Sequence, residues 1–430
     1  MNKIKKVKIA KFWGDKTVEI NFDEDVNFFI GPNGSGKTTI INVIAATLTA
    51  DFKTLDSTQF EIVEITLTPR NNQEAVIKVE KKEKSYSPYP KIEFSLKNYG
   101  EKKFKKFNLD EIEEDNFYRY YNYNLFNEKI IATPASNDIS NELSKLVNVS
   151  WLTIHRIPNK KLKGERNFES SIDQKIEDLQ SDLIKYFSQL NRLYSNETEK
   201  FQKYIFESLI DSSQYDDVIL KEKIDSEKEK EALKSIYQYF KINEKSFSKK
   251  LDNYFSEYES SYKKLNDRDS EGLNLKDFAF LLSTIKIHAA VEEWNKINDK
   301  QKQINNTKDI FIRVINSLLI RKKVIINERN ELMIETQSGK IFSLTNLSSG
   351  EKQLLIIFGQ SLLQGENPHI YIADEPELSL HIEWQEKLVK NLKSINPNSQ
   401  IIFATHSPDI VSDYHDKVFN IEKSFLYGGI

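Results

Sequence analysis

The sequence has 430 residues, 39% of them apolar and 11% aromatic, which excludes a disordered chain and suffices for one large domain or two to three smaller ones. With 62 basic against 65 acidic side chains the net charge is −3, which excludes a surface that is basic throughout. No cysteine is present among the residues, so disulfides, thiolate zinc sites, a zinc hook and a cysteine nucleophile are excluded.

The chain opens on basic and apolar residues that alternate like a strand from Met1 to Lys11, unlike a signal peptide. No apolar run approaches the ~20 residues of a membrane span. The expectation is a soluble, cytoplasmic protein with no membrane partner. Residues 1–157 are rich in period-two alternation: Ile4–Phe12, Thr17–Phe22, Val26–Ile30, Glu61–Thr68, Ala75–Glu80 and Lys91–Leu96 read as strands, interrupted by one helix from Lys37 to about Leu48. Residues 158–320 read as a helical or coiled-coil insertion of four to six helices. Ile172, Ile176, Leu179, Leu183, Phe187 and Leu190 form one stripe there, and a last helix runs from Leu275 to about Leu319. In 321–430 strands return at Lys323–Asn327, Glu331–Thr336 and Lys340–Leu344. An α/β run then follows: a helix from Ser349, a strand His369–Ala373, a helix Leu380–Ser394 and a strand Gln400–Ala404.

Four motifs carry chemistry. The buried-type strand Val26–Ile30 runs into Gly31-Pro-Asn-Gly-Ser-Gly-Lys-Thr38, which matches GxxxxGK[ST] with a strand before it and a helix after it. Its glycines, Gly31, Gly34 and Gly36, let backbone N–H groups turn toward phosphate oxygens, while Lys37 would reach the β and γ phosphates and Thr38 would ligate Mg²⁺. Asn33, Ser35 and Thr39 complete the loop as nucleotide-binding candidates. The strand Ile370–Ala373 ends in Asp374, placed for the metal shell, and Glu375, placed to orient or deprotonate water. Leu347-Ser-Ser-Gly-Glu-Lys-Gln353 opens an apolar helix, either as an anion-binding N-terminus or as a plain N-cap. Finally, His406 follows a buried strand in Ile401-Ile-Phe-Ala-Thr-His-Ser-Pro408, where parallel sheets place ligands.

In this order, GPNGSGKTT, LSSGEKQ, YIADEPELSLH and FATHSP resemble the phosphate loop, signature, Walker B with D-loop, and H-loop of ABC-type ATPase heads. The resemblance covers about 1–157 and 321–430 and implies an α/β P-loop head, a mixed sheet with an antiparallel β lobe, into which the helices are inserted. It further implies ATP with Mg²⁺ sandwiched between two copies: Lys37 and Thr38 of one would hold it, and Ser348, Ser349 and Gly350 of the other would cap it. Glu375 and His406 would be catalytic. Ser349 stands where transporter signatures usually have glycine, and the long insertion resembles that of SMC, RecF and OLD-type ATPases. DEPELSLHIEWQ is especially similar to the OLD-like group. OLD nucleases carry a TOPRIM domain after the head, whereas only Ser407–Ile430 follow His406 here.

A stand-alone OLD-like ATPase resembles the ATPase subunits of PARIS- and Septu-type phage-defence systems. That resemblance implies an oligomer of at least two copies that controls an effector, a nuclease or toxin, in trans. The alternative is a RecF-like ATPase that clamps DNA. A transporter half is the third reading. Basic clusters at 102–106, 160–166 and 321–323 are solvated faces, or else contacts for nucleic acid or an acidic partner. No clear Q-loop glutamine is present. His155 and Arg156, in the strand 151–157, either approach the nucleotide or are ordinary polar ends of that strand.

Overall fold

The computed structural model describes residues 2–82, 91–108, 134–152, 171–210, 224–266 and 274–427. In chain order it begins with strands β1 (Ile4–Phe12), β2 (Lys16–Asn21) and β3 (Val26–Ile30), then helices α1 (Lys37–Thr49) and α2 (Phe52–Ser57). Strands β4 (Ile62–Leu67), β5 (Val76–Lys82), β6 (Lys91–Lys97) and β7 (Lys105–Asn108) follow, then α3 (Pro134–Leu146) and β8 (Val149–Leu152). Four long helices come next: α4 (Ser171–Ile210), α5 (Ser226–Tyr239), α6 (Glu244–Asn266) and α7 (Leu275–Leu318). The last part holds β9 (Lys322–Ile326), β10 (Leu332–Thr336), β11 (Ile341–Phe342), α8 (Ser349–Leu363), β12 (His369–Asp374), α9 (Ile382–Ile395), β13 (Ser399–Ala404), α10 (Pro408–Val411), β14 (Val418–Asn420) and β15 (Phe425–Tyr427).

Two compact units result, Met1–Ile184 with Thr307–Ile430, and Lys185–Asn306. The first is the expected α/β architecture, with parallel and antiparallel strands in separate sheets. Five parallel strands run in the order β14-β3-β13-β12-β8, seven antiparallel strands in the order β15-β2-β1-β4-β5-β6-β7, and three more as β11-β10-β9. Along β1, Val7, Ile9 and Phe12 are buried while Lys5, Lys8 and Lys11 are exposed, the mark of a sheet with one wet face. In β3, Val26 to Phe29 are all buried, the mark of a central parallel strand. Helix α1 lies between the two sheets: its Ile40, Ile41, Val43 and Ile44 share one core with Ile65, Ile77 and Phe94 of the antiparallel sheet and with Ile370, Ile372 and Ile402 of the parallel one.

Helices α2 and α3 were not evident in the alternating pattern of the first segment, where one helix was expected. Helix α9 begins two residues later than the sequence suggests, because Leu378 and Leu380 close a turn onto Glu375 and Glu377 before His381 caps the helix. The stripe expected on α4 is buried at Ile176, Leu179, Leu183, Phe187 and Leu190. Its first turns belong to the head unit, where Asp173 pairs with Lys352 of α8 (2.5 Å) and Leu179 meets Gly359. Within the second unit α4 and α7 run antiparallel, with Phe201 against Trp294 (5.1 Å) and Gln301 donating to Thr198 (3.0 Å). The α5–α6 hairpin closes by stacking Tyr237 on Phe247. Of 153–170, which contain His155, Arg156 and the basic cluster 160–166, none lies within the described residues.

The two large sheets are tied by one side chain. Gln400 at the start of β13 is fully buried; its Oε1 accepts from the Ile4 N–H (2.7 Å), and its Nε2 donates to the carbonyls of Ile4 (2.8 Å) and Asp23 (2.7 Å). Replacing it by leucine takes this partner from the buried N–H and carbonyl of Ile4, while the Asp23 carbonyl keeps the Asn27 amide as a donor (2.9 Å). Gln400→Leu is therefore expected to lose about 2–3 kcal/mol of head stability in urea titrations.

His369, 3% exposed at the start of β12, contacts the Ser150 hydroxyl through Nε2 (2.8 Å). Burial pushes its pKa down to about 4 from the usual 6.5 of a histidine. Between those values the unfolded chain binds the extra proton. The neutral imidazole thus contributes stability that is complete above about pH 7 and is lost as pH falls toward 4. The expected loss between pH 7.5 and 5 is about 2 kcal/mol, and His369→Gln should abolish that part of the pH dependence in parallel urea melts.

Candidate functional site

Three strand ends make the site. β13 pairs in parallel with both neighbours, Ala404 standing opposite Phe29 of β3 and opposite Asp374 of β12. Whatever follows each strand therefore emerges at one edge of the sheet: the loop 31–38 after β3, Glu375 after β12, and Thr405 with His406 after β13. This is the carboxyl edge where open parallel sheets bind ligands.

The loop curls back on itself through Lys37, whose ammonium donates to the carbonyls of Gly31 (2.8 Å) and Pro32 (3.1 Å). Burial lowers the Lys37 pKa, and the carboxylates of Glu375 and Asp374 act against that shift. Gly36 caps α1 at φ 94 with no side-chain cap. A β-carbon there would stand 2.9 Å from the Trp13 ring, so both the backbone conformation and the neighbour require glycine. No acidic residue occupies the first turn of α1, which leaves the positive end of the helix for an anion. Ser35 adds a buried hydroxyl with no hydrogen-bond partner among the described residues, while Asn33 and Gly34 are exposed and Thr39 is half-buried.

Across the edge, the Thr38 hydroxyl donates to Asp374 Oδ1 (3.0 Å). Glu375 has its N–H on the Ala404 carbonyl (2.8 Å) and adopts φ 49, a left-handed conformation that is strained for a glutamate. Its Oε1 lies 4.0 Å from His406 Nε2, and both side chains are about one-third to two-fifths exposed. Lys37, Thr38, Asp374, Glu375 and His406, named from three separate stretches of sequence, are thereby brought to one place.

The signature segment is built differently. Ser348 caps α8 in a reciprocal box with Glu351, its N–H donating to Glu351 Oε2 (3.0 Å) and its hydroxyl accepting from the Glu351 N–H (3.4 Å). The plain N-cap of the sequence reading is thus present. Despite the upward pull of burial, hydrogen bonds from Lys322 and Ser348 hold Glu351 below the usual carboxylate range. Ser348 and Ser349 are exposed. Gly350 is buried, and a β-carbon on it would stand 2.4 Å from the Ser379 carbonyl oxygen. Its lack of a side chain is therefore needed inside this chain, where α8 presses on the turn that follows the acid pair.

Several residues at the site were not singled out by their sequence pattern. Trp13, in the β1–β2 turn, stacks on Phe12 (4.7 Å) and flanks the loop at Gly36; the adjacent aromatic pair before a glycine was the available signal. Gln353 donates to the Pro376 carbonyl (2.8 Å) from within α8. Glu377 accepts from Thr405 and from the His406 N–H. Of the basic clusters, Lys105 and Lys106 pair with Glu142 and Glu93, and Lys322 and Lys323 with Glu351 and Glu335.

The chain resembles the ATPase of retron Vc95 from Vibrio cholerae, 27% identical over 192 residues that make up 37% of this chain and 36% of that protein. It also resembles Septu protein PtuA from Bacillus thuringiensis, 28% identical over 37% of this chain and 43% of that one. These matches span less than half the length of either relative. Among solved structures, the Smc head domain with an extended coiled coil bound to the C-terminal domain of ScpA, from Pyrococcus furiosus, aligns over 99% of this chain and 98% of that one, at 15% identity and a TM-score of 0.42. Residues 2–411, which include all the site residues described above, match the AAA ATPase domain family, and the chain belongs to it.

Proposed function

We propose that the protein binds and hydrolyses ATP at the carboxyl edge of its parallel sheet and uses that cycle to control a partner effector in anti-phage defence. The observation that carries the reading is the meeting of the phosphate loop with the acid pair, through the 3.0 Å contact of Thr38 with Asp374. In this reading Gly31 to Gly36 cradle the phosphates with backbone N–H groups, Lys37 turns from its carbonyls to the β and γ phosphates, and Thr39 closes the loop. The Thr38 hydroxyl and the Asp374 carboxylate are hard oxygen donors, the set that suits Mg²⁺, which when bound would neutralise phosphate charge. Glu375 would orient and deprotonate the attacking water, with His406 beside the γ-phosphate.

A second copy would complete the site. Ser348 and Ser349, exposed on this chain, would cap the nucleotide of the partner copy, with Gly350 allowing the approach of the helix end. Likeness to a retron ATPase and to Septu protein PtuA supports the defence role and a separate effector such as a nuclease. The DNA-clamp reading has less support, because Lys105 and Lys106 of one basic cluster and Lys322 and Lys323 of another are engaged with carboxylates.

Lys37→Ala is expected to weaken ATP binding about 100-fold or more, read by calorimetric titration. Glu375→Gln should bind ATP normally, hydrolyse it about 100-fold more slowly and accumulate as an ATP-dependent dimer in sedimentation runs. Hydrolysis by Glu375→Gln at the unmutated rate would remove Glu375 from its role. A strictly monomeric ATP-bound form would remove the sandwich.

A further inference from the structure

Glu377 lies two residues beyond the acid pair and is only 8% exposed. Its Oε1 receives two hydrogen bonds, from the Thr405 hydroxyl (2.5 Å) and from the backbone N–H of His406 (3.0 Å). Its Oε2 is buried with no hydrogen-bond partner among the described residues. A carboxylate in so dry a place is costly unless hydrogen-bonded, and here both donors come from the loop that carries His406.

The rest of that loop is wrapped around the same contact. The Thr405 N–H donates to the Phe29 carbonyl (3.1 Å) of β3, and the Thr405 hydroxyl accepts from the Ser407 N–H (3.0 Å). The Ser407 hydroxyl meets Gln385 Oε1 (2.6 Å), and Gln385 Nε2 donates to the Leu380 carbonyl (2.8 Å). Glu377 itself is fixed by its turn, its carbonyl accepting from the Leu380 N–H (2.8 Å) and the preceding Pro376 carbonyl from Gln353. Glu375 and Glu377 thus sit on one rigid turn. One faces His406 from the solvent side, and the other grips the peptide of His406 from the buried side.

We propose that Glu377 is a positioning residue for the hydrolysis reaction, setting the place of His406 relative to Glu375. The assignment rests on the proposed ATPase reading. In this role Glu377 acts not on the reacting atoms but by fixing the backbone from which the imidazole projects. A displacement of about 1 Å in such a group costs up to about 100-fold in rate without a matching loss of binding.

The test compares Glu377→Ala with Glu377→Gln, whose amide oxygen can accept from the same two donors. Glu377→Ala should lower kcat about 10- to 100-fold with the KM for ATP changed less than about 3-fold, and Glu377→Gln should restore most of the loss. In a His406→Ala background Glu377→Ala should have no further effect on kcat, since its action passes through His406. Independently of turnover, amide hydrogen exchange at His406 should speed up at least about 10-fold in Glu377→Ala and not in Glu377→Gln. If Glu377→Ala does not fold, Thr405→Val removes one of the two donors and should give the same pattern in weaker form. Unchanged exchange at His406, or a loss that multiplies in full with that of His406→Ala, overturns the assignment. An unmutated protein without ATPase activity would sink the hydrolysis reading instead, and the exchange measurement alone would then decide whether Glu377 anchors the loop.

Discussion

The candidate site depends on the register of one residue column. Ala404 of β13 is paired with Phe29 on one side and Asp374 on the other, and all three strands run the same way. Neighbouring strands lie about 4.8 Å apart and each residue advances about 3.3 Å, so a slip of one position would move a whole motif by most of a strand spacing. Slippage is opposed by burial. From Val26 to Phe29 and from Ser399 to Ala404 every residue is buried, so a shift would carry the flanking polar residues into both cores at once.

The register of β13 is in turn fixed at its far end by Gln400. Its amide satisfies the N–H and the carbonyl of Ile4 as a paired strand residue would, although β1 belongs to the other sheet. One end of β13 therefore locks the two sheets together and the other end delivers Thr405 and His406. Helix α8 makes the comparable connection on the opposite flank. Gly350 lies on Ser379, Gln353 holds Pro376, Lys352 pairs with Asp173 at the start of α4, and Gly359 accepts Leu179. The pairing of Lys352 with Asp173 adds little net stability once desolvation is counted, but a misplaced helix would leave a buried lysine and a half-buried aspartate unpaired.

How much of this was legible in the sequence follows from the range of the interactions involved. The phosphate loop, the acid pair and the strands around them are local patterns: a run of apolar residues, a glycine spacing, a charge at a strand end. They could be read without knowing the fold. Gln400, Glu377 and Gly350 could not, because their partners are Ile4, the Thr405–His406 peptide and Ser379, tens to hundreds of residues away. A glutamine opening an apolar strand and a glutamate following a proline look like ordinary polar residues until the sheet is assembled. Helices α2 and α3 were missed for a different reason. Helix α2 spans only six residues, and both interrupt a segment read throughout for period two. In the signature segment Ser348 and Glu351 satisfy each other, so the N-cap reading and the anion-site reading share the same residues. The capping box stands in the isolated chain, with Ser348 and Ser349 both exposed at the helix end.

The turn from Glu375 to Leu380 shows how such a site is kept in shape. Glu375 and Ser379 both adopt positive φ, at 49° and 73°, each at a cost of roughly 1–3 kcal/mol for a residue with a side chain. A strained turn persists only if its surroundings determine it more than once. Here the Glu375 N–H is held by β13, the Pro376 carbonyl by α8, the Glu377 side chain by the loop after β13, and the Ser379 carbonyl packs on Gly350. None of these contacts is local to the turn. The conformation that points Glu375 toward His406 is thus maintained by the parallel sheet and by α8 together, and loosening either would relax it. The strain is placed where the proposed chemistry is, and the folding of the whole head offsets it.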